Sequence, residues 1–269
     1  MSQFGAAFMA AGLLLMAPMA SAQQTCPPAA GVSGLVSEIV DGDTLVLESG
    51  LQVRLVGIQA PKLPLGRAGF KTEPMAPEAR VFLEQLAAGK RVDLRYGERR
   101  RDRHGRALAH VTLAGPSGEP GHWLQWEMLH AGLARVYSFA DNRLCIAELL
   151  AAERAARKAG RGIWALDSYQ ILTAQKPGQM VRLSGSYQIV EGRIESASRR
   201  HKWVFVNFDR DWQRDFTIVI PARHWKWFQK AGYTLSGLKG RRIRVRGWLG
   251  LWNGPMIEAD HPEQIERLD

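Results

Sequence analysis

The sequence predicts a mainly β fold with interleaved helices, an α+β chain built as two small barrels in succession. Three observations carry this. Short runs rich in β-branched and aromatic residues recur through residues 33–113, separated by turn residues. The same pattern starts again after "TAQKPGQ" at 173–179. In that second half, a helical stretch falls between the third and fourth of five strand-like runs, the order of a small Greek-key barrel. At 269 residues and 46% hydrophobic content, the chain is long and apolar enough for two cores.

The elements follow in order. Residues 6–20 are apolar and lead into "ASA" at 20–22, a small-x-small cleavage signal before Gln23. Residues 1–22 therefore read as a signal peptide and the protein as exported, periplasmic or secreted. No Lys or Arg precedes the apolar run, and Pro18 together with its length argues against a retained membrane span. A Pro/Ala-rich leader covers 23–32. The first unit is expected at 33–167, with strands "LVSEIV" and "TLVLE" around Asp41-Gly42-Asp43, then "QVRLVGI", "RVDLRY" and "RALAHVTL". Its helices open at Pro77, cover "WLQWEMLHA", and run from Leu144 to Ala159, with Ile163-Trp164 beyond as a core anchor. A linker is expected at 168–180 and a second unit at 181–269. In "RRIRVRGW", alternation turns Ile243, Val245 and Gly247 inward and leaves the arginines on a solvated outer face. The two cysteines, Cys26 and Cys145, are either joined in an oxidising compartment or left as separate thiols.

The formal charge of +10 points to an anionic partner, DNA or RNA first and an acidic membrane surface second, or to solubility alone. Both halves share it: residues 33–180 hold 20 Lys/Arg against 16 Asp/Glu, and residues 181–269 hold 16 against 10. Six of nine tryptophans follow residue 181, interleaved with "RRHKW" and "KGRRIRVRGW". That mixture suits a groove for single strands, where cations track the backbone and rings stack bases. It equally suits an ordinary core behind a charged face.

"IVDGDTLVL", "VRLVGI.AP", "RDRHGRALAHV", "ML..GLARVY" and "AE..AR.AGRGIW" occur in that order and resemble the staphylococcal nuclease (thermonuclease) family over residues 35–165. The resemblance implies an oligonucleotide-binding barrel carrying helices, with calcium-dependent cleavage of DNA and RNA. It places a calcium ligand at Asp43 and the catalytic phosphate clamps at Arg54 and Arg106. Tyr137 and Phe139 fall near its base-stacking aromatics, and Arg103 lies in a basic turn ahead of Arg106. The stretch Arg244-Val245-Arg246-Gly247 looks like the fourth strand of a second such barrel.

Two departures fall at the centre. The second calcium-binding carboxylate is replaced by Gln59 and the glutamate base by Lys62. A hard cation draws much of its affinity from carboxylate charge, so Ca2+ is a doubtful cofactor. An ammonium cannot take a proton from water until it has lost one. Three readings stand for Lys62. It supplies the missing cationic charge in a metal-independent nuclease, it marks a retired site that still grips nucleic acid, or it is a loop residue while Glu73 or Glu78 acts as base. Asp41 is either an outer partner of Asp43 or a turn-stabilising residue. His104 and His110 lack a third ligand at metal spacing and read as structural. The expected function is therefore an exported thermonuclease-like protein acting on nucleic acid, with a catalytically inactive binding module as the alternative.

Overall fold

The computed structural model describes residues 31–114 and 120–269. The signal peptide, most of the leader and Cys26 lie outside the described residues, whereas Cys145 is not a free thiol.

The first body begins with β1 (Ser33–Asp41), β2 (Thr44–Leu47), β3 (Gln52–Leu55) and β4 (Ile58–Gln59). Helix α1 (Ala76–Ala87) precedes β5 (Arg91–Arg101), β6 (Ala107–Ala114) and β7 (Pro120–Trp123). Then come α2 (Leu124–His130), β8 (Arg135–Val136) and α3 (Ile146–Lys158). β1 pairs antiparallel with β2 and β5, β2 with β3, and β5 with β6, while β3 meets β6 in parallel. The circuit closes into a barrel, which leaves no long open edge. Alternation along the strands turns Leu45, Leu47, Val53, Leu55, Leu94 and Val111 into the core. Leu83 of α1, Leu124 and Met128 of α2 and Leu149 of α3 are buried against them. Each helix thus buries one stripe, as its helical spacing predicts. α1 starts with Pro77 in its first turn, where the missing N–H costs nothing, and Glu78 there sits at the positive end of the helix dipole.

The second body comprises β9 (Leu172–Thr173), α4 (Pro177–Val181), β10 (Tyr187–Arg193), β11 (Ser196–Arg200), β12 (Trp203–Asn207) and β13 (Thr217–Pro221). Helices α5 (Trp225–Lys230) and α6 (Leu235–Leu238) lead to β14 (Arg242–Leu251), β15 (Pro255–Glu258) and β16 (Ile265–Arg267). β10 and β11 act as two halves of one bent strand. β11, β12 and β13 pair antiparallel in turn, β13 meets β15 in parallel, and β14 pairs antiparallel with both β15 and β10. This is the circuit of the first barrel again, with the helices inserted at the same point. Val204, Val206, Ile218, Ile220, Phe228, Ile243, Val245 and Ile257 fill its interior. Residues 168–180, expected as a linker, carry structure of their own: Leu172 and Thr173 pair with Val190 and Glu191 of β10.

One expectation is corrected. Arg246 was placed on a solvated face by alternation, yet it is 1% exposed. At this position the outer face of β14 meets α3. There Arg246 binds both carboxylate oxygens of Glu153, at 2.8 and 3.0 Å, and Glu266 at 2.6 Å. Arg157 closes the cluster on Glu153 at 2.7 Å and Glu266 at 3.1 Å. Two buried arginines and two buried carboxylates balance, and each charge has several hydrogen-bonding partners, the condition under which burial of ions is tolerated. Around the cluster, the Tyr187 hydroxyl donates to the Val136 carbonyl at 3.1 Å and Arg143 forks onto Glu263 at 2.6 and 2.8 Å. The two barrels are joined through a polar seam.

Candidate phosphate-binding site

The site starts at the turn joining β1 and β2. Asp41 pairs with Thr44 across a two-residue turn made of Gly42 and Asp43. A Cβ on Gly42 would lie 2.7 Å from the Cβ atoms of both Ala60 and Ala79, so only glycine lets the turn press between the β4 loop and α1. The Asp41 carboxylate accepts the Asp43 backbone N–H at 3.0 Å, an Asx-type contact that settles its turn role. Asp43 is thereby driven inward and is fully buried.

Every oxygen of Asp43 is engaged. Oδ2 accepts the Ala60 backbone N–H at 2.7 Å and Oδ1 the Thr44 hydroxyl at 3.3 Å. The register of β2 on β3 sets Arg54 opposite Thr44, and its guanidinium ion-pairs with the Asp43 carboxylate. Arg54 also donates to the carbonyls of Asp43 at 3.2 Å and Ile58 at 3.0 Å. Lys62, from the loop after β4, places its Nζ 2.8 and 2.7 Å from the two Asp43 oxygens and 3.5 Å from Asp41. Its backbone is pinned by Glu73, whose carboxylate accepts the Lys62 N–H at 2.8 Å and whose N–H donates back to the Lys62 carbonyl at 3.0 Å. Burial pushes the Asp43 carboxyl up, but Arg54 and Lys62 outweigh it and hold it well below the usual carboxylate range. Asp41 moves the other way, raised by burial and then by the Asp43 charge.

This arrangement tests calcium directly. Calcium asks for about six to eight oxygens at 2.3–2.6 Å, several of them charged. Here the two carboxylates, Asp41 and Asp43, are matched by two cations, Lys62 and Arg54, and the ammonium already spans Asp43 where a cation would sit. Gln59 contributes one neutral oxygen, buried without a hydrogen-bond partner. Among the described residues no group of three or more His, Cys, Asp or Glu is placed to hold a metal. The residues present do not fit calcium.

The other predicted residues are distributed around this centre. Arg106 stands just before β6, two residues from Leu108, the parallel partner of Arg54, so both arginines belong to one face of the sheet. Its Nε is held by Asp102 at 2.7 Å and the side chain remains partly exposed. Arg103 is exposed in the β5–β6 turn, with Nε 3.1 Å from the His104 ring. Glu78 is exposed on α1, and Glu73 is committed to the Lys62 backbone. His110 is buried, which pulls its pKa down to about 4 and keeps the ring neutral. Tyr137 follows β8, which pairs Arg135 with Gln59, and its backbone N–H reaches the Gly57 carbonyl at 2.9 Å. Its ring meets Phe139 edge-on at 4.8 Å, and Phe139 is 49% exposed. Sequence reasoning missed what the second barrel adds here. Tyr187 packs on Tyr137 at 4.9 Å, and Trp248 Nε1 donates to the Tyr137 hydroxyl at 3.0 Å. No spacing rule connects residues 111 positions apart, so no sequence signal could have found that contact.

With this geometry in place, similarity to known proteins is informative. Residues 52–166 match the sequence model of the family described as staphylococcal nuclease homologue. The match begins just downstream of Asp43, whose turn joins the same sheet through β2 and β3. Over 142 residues the chain is 29% identical to the thermonuclease of Staphylococcus intermedius, covering 50% of this chain and 77% of that protein. It is 28% identical to the thermonuclease of Staphylococcus hyicus, over 48% of this chain and 73% of the relative. Endonuclease YhcR of Bacillus subtilis is 29% identical over 154 residues, only 12% of its own length. The matched segment carries β3 to α3, the helices that wall the site and the loop that delivers Lys62. Residues 52–166 are thus thermonuclease-like and match the staphylococcal nuclease homologue family, a resemblance that the relatives extend over about half of the chain.

Proposed function

We propose that the protein acts on nucleic acid, gripping the phosphodiester backbone at the Lys62, Arg54 and Arg106 cradle, with an action independent of calcium. One observation carries the reading: the Lys62 ammonium lies 2.7 Å from Asp43 and supplies, from the chain itself, the positive charge that a bound cation would bring. The names of the relatives, thermonuclease and endonuclease, support a phosphodiester substrate. Arginine suits the grip because its planar fork spans two phosphate oxygens and stays charged. For hydrolysis, Asp41 is the carboxyl best suited to accept a proton from water. Its affinity for protons is raised, and its second oxygen meets Lys62 only at 3.5 Å. Binding without cleavage is the second reading, favoured by the commitment of Glu73 to the Lys62 backbone. We also propose export, from the apolar run and "ASA" signal at residues 1–22, and a division into units at 33–167 and 181–269.

The test uses labelled single- and double-stranded DNA and RNA, with added calcium and with chelator. We expect binding that weakens steeply with salt, is unchanged by chelator, and drops in Arg106→Ala. Cleavage that persists in chelator and is lost in Asp41→Asn selects the hydrolase, and binding without turnover selects the module. Cleavage that requires calcium overturns the proposal.

A further inference from the structure

We propose that the C-terminal barrel carries its own docking surface for single-stranded nucleic acid, on the outer face of β12 between the β11–β12 and β14–β15 turns. The choice of nucleic acid as the polymer rests on the function proposed above; the surface stands on its own geometry. Along β12 the alternation is clean: Val204 and Val206 point into the core, while Trp203 and Phe205 point out and stay partly exposed. Trp252, from the β14–β15 turn, is 46% exposed and meets both rings edge-on, at 5.6 Å from Trp203 and 5.7 Å from Phe205. None of the three belongs to the barrel core. Three large rings gathered on a sheet face and left open to solvent mark a contact surface.

The surface is held in shape before anything binds. Asn253 and Gly254 take positive φ values of 56° and 138°, and the Trp252 N–H closes the turn on the Gly254 carbonyl at 2.8 Å. A Cβ on Gly254 would come 2.6 Å from the Asp215 carbonyl, so the turn is seated against the start of β13. Asp215 itself accepts the N–H groups of Phe208 and Asp209, at 2.8 and 3.1 Å, and fixes the far end of β12. Rings mounted on fixed turns lose little freedom on binding.

Charge identifies the occupant. Arg200 lies directly across from Trp203 in the β11–β12 register, and Arg199 and Lys202 flank it, all three exposed. The nearby ion pairs use Arg210 with Glu195 and Arg242 with Glu191; among the described residues no acidic partner engages Arg199, Arg200 or Lys202. Unneutralised cations beside open rings match an unpaired strand, whose phosphates follow the cations while its bases stack. A duplex hides its base faces from such rings. A second copy of this chain meeting the same face about a two-fold axis would set cationic turn against cationic turn.

The test measures binding of short dT and U oligonucleotides to the full chain by fluorescence anisotropy at two salt concentrations. Trp252→Ala is expected to weaken binding roughly 5- to 100-fold, the range for loss of one stacking ring, and Trp252→Phe to restore most of it. Arg200→Ala with Lys202→Ala is expected to reduce the salt slope by about 1.4, as for two lost contacts to a single strand. Binding unchanged in these variants but weakened in Arg106→Ala overturns this surface and leaves the proposed function standing. Absence of binding by the parent protein overturns both. A concentration-dependent dimer that Trp252→Ala dissolves makes the face a contact between copies and also overturns the proposal.

Discussion

The two barrels follow one strand circuit yet handle the same turn in opposite ways. Between the first two strands of the N-terminal barrel lies Asp41-Gly42-Asp43, acidic, buried and clamped by Lys62 and Arg54. In the C-terminal barrel the equivalent turn, between β11 and β12, is Arg200-His201-Lys202, cationic and exposed. The loop after the third strand differs as well. In the first barrel it returns Lys62 across the turn, while in the second it enters α5 within four residues of β13. Topology therefore decides where a binding turn stands, and the residues on it decide whether it holds charge inward or offers it outward. The outer face of the fourth strand shows the same principle. In the second barrel it is closed at Arg246, which answers Glu153 from α3 of the first barrel.

That joint is where the comparison can be broken most severely. Arg246→Ala leaves Glu153 and Glu266 to share Arg157 alone, a buried excess of negative charge, and loss of one partner of a buried ion pair typically costs about 3–5 kcal/mol. Urea unfolding should show it as a lower midpoint or as two separated transitions, and an unchanged single transition would refute the structural weight given to the seam. Arg246→Met, which removes the charge but keeps bulk, still leaves two buried carboxylates to the single cation Arg157 and should restore little.

A smaller effect comes from acid. At Glu266, burial works upward, but Arg246 and Arg157 hold the carboxyl down, at about 2 against an ordinary 4.5. A depressed carboxyl stabilises the fold fully above its ordinary value and loses that contribution as the pH falls toward the folded one. Stability measured by denaturant should therefore hold down to about pH 4.5 and decline from there toward pH 2. Asp43, held low by Arg54 and Lys62 against its burial, adds to the same decline. If stability instead rises through that window, the ion cluster is not the acid-sensitive element.

The mildest change sharpens the contrast between the turns. Lys62→Glu with Gln59→Asp replaces the ammonium and the neutral oxygen by carboxylates, converting a balanced site into one that attracts a divalent cation. Calcium should then raise the melting temperature of the double variant, with about 2.7 kcal/mol of stabilisation at a hundred-fold excess over Kd. The parent should not respond. A calcium-induced shift in the parent would contradict the reading of Lys62.

Much of the strand and helix pattern was legible because each element carries its own periodicity. The alternation of "TLVL" and "WVFVN", Pro77 at the start of α1, and the helical spacing in α3 all act within a few residues. The departures at Gln59 and Lys62 were visible too, since they stand inside an ordered set of motifs. Their consequence was not. Whether Lys62 pointed to solvent or onto Asp43 depended on the loop that Glu73 pins eleven residues away. The alternation that turned Val245 inward also told correctly that Arg246 faces outward from its barrel, but outward led into α3 and not into water.

The sequence by itself determined the local structure, the basic charge and the missing carboxylates, because these depend on neighbours along the chain. Only the tertiary structure decided which side chains meet: Lys62 with Asp43, Arg246 with Glu153, Trp252 with Trp203. These pairings join residues 19, 93 and 49 positions apart, respectively. Such contacts depend on how strands close into barrels and how barrels pack, and that is set by the burial of whole faces.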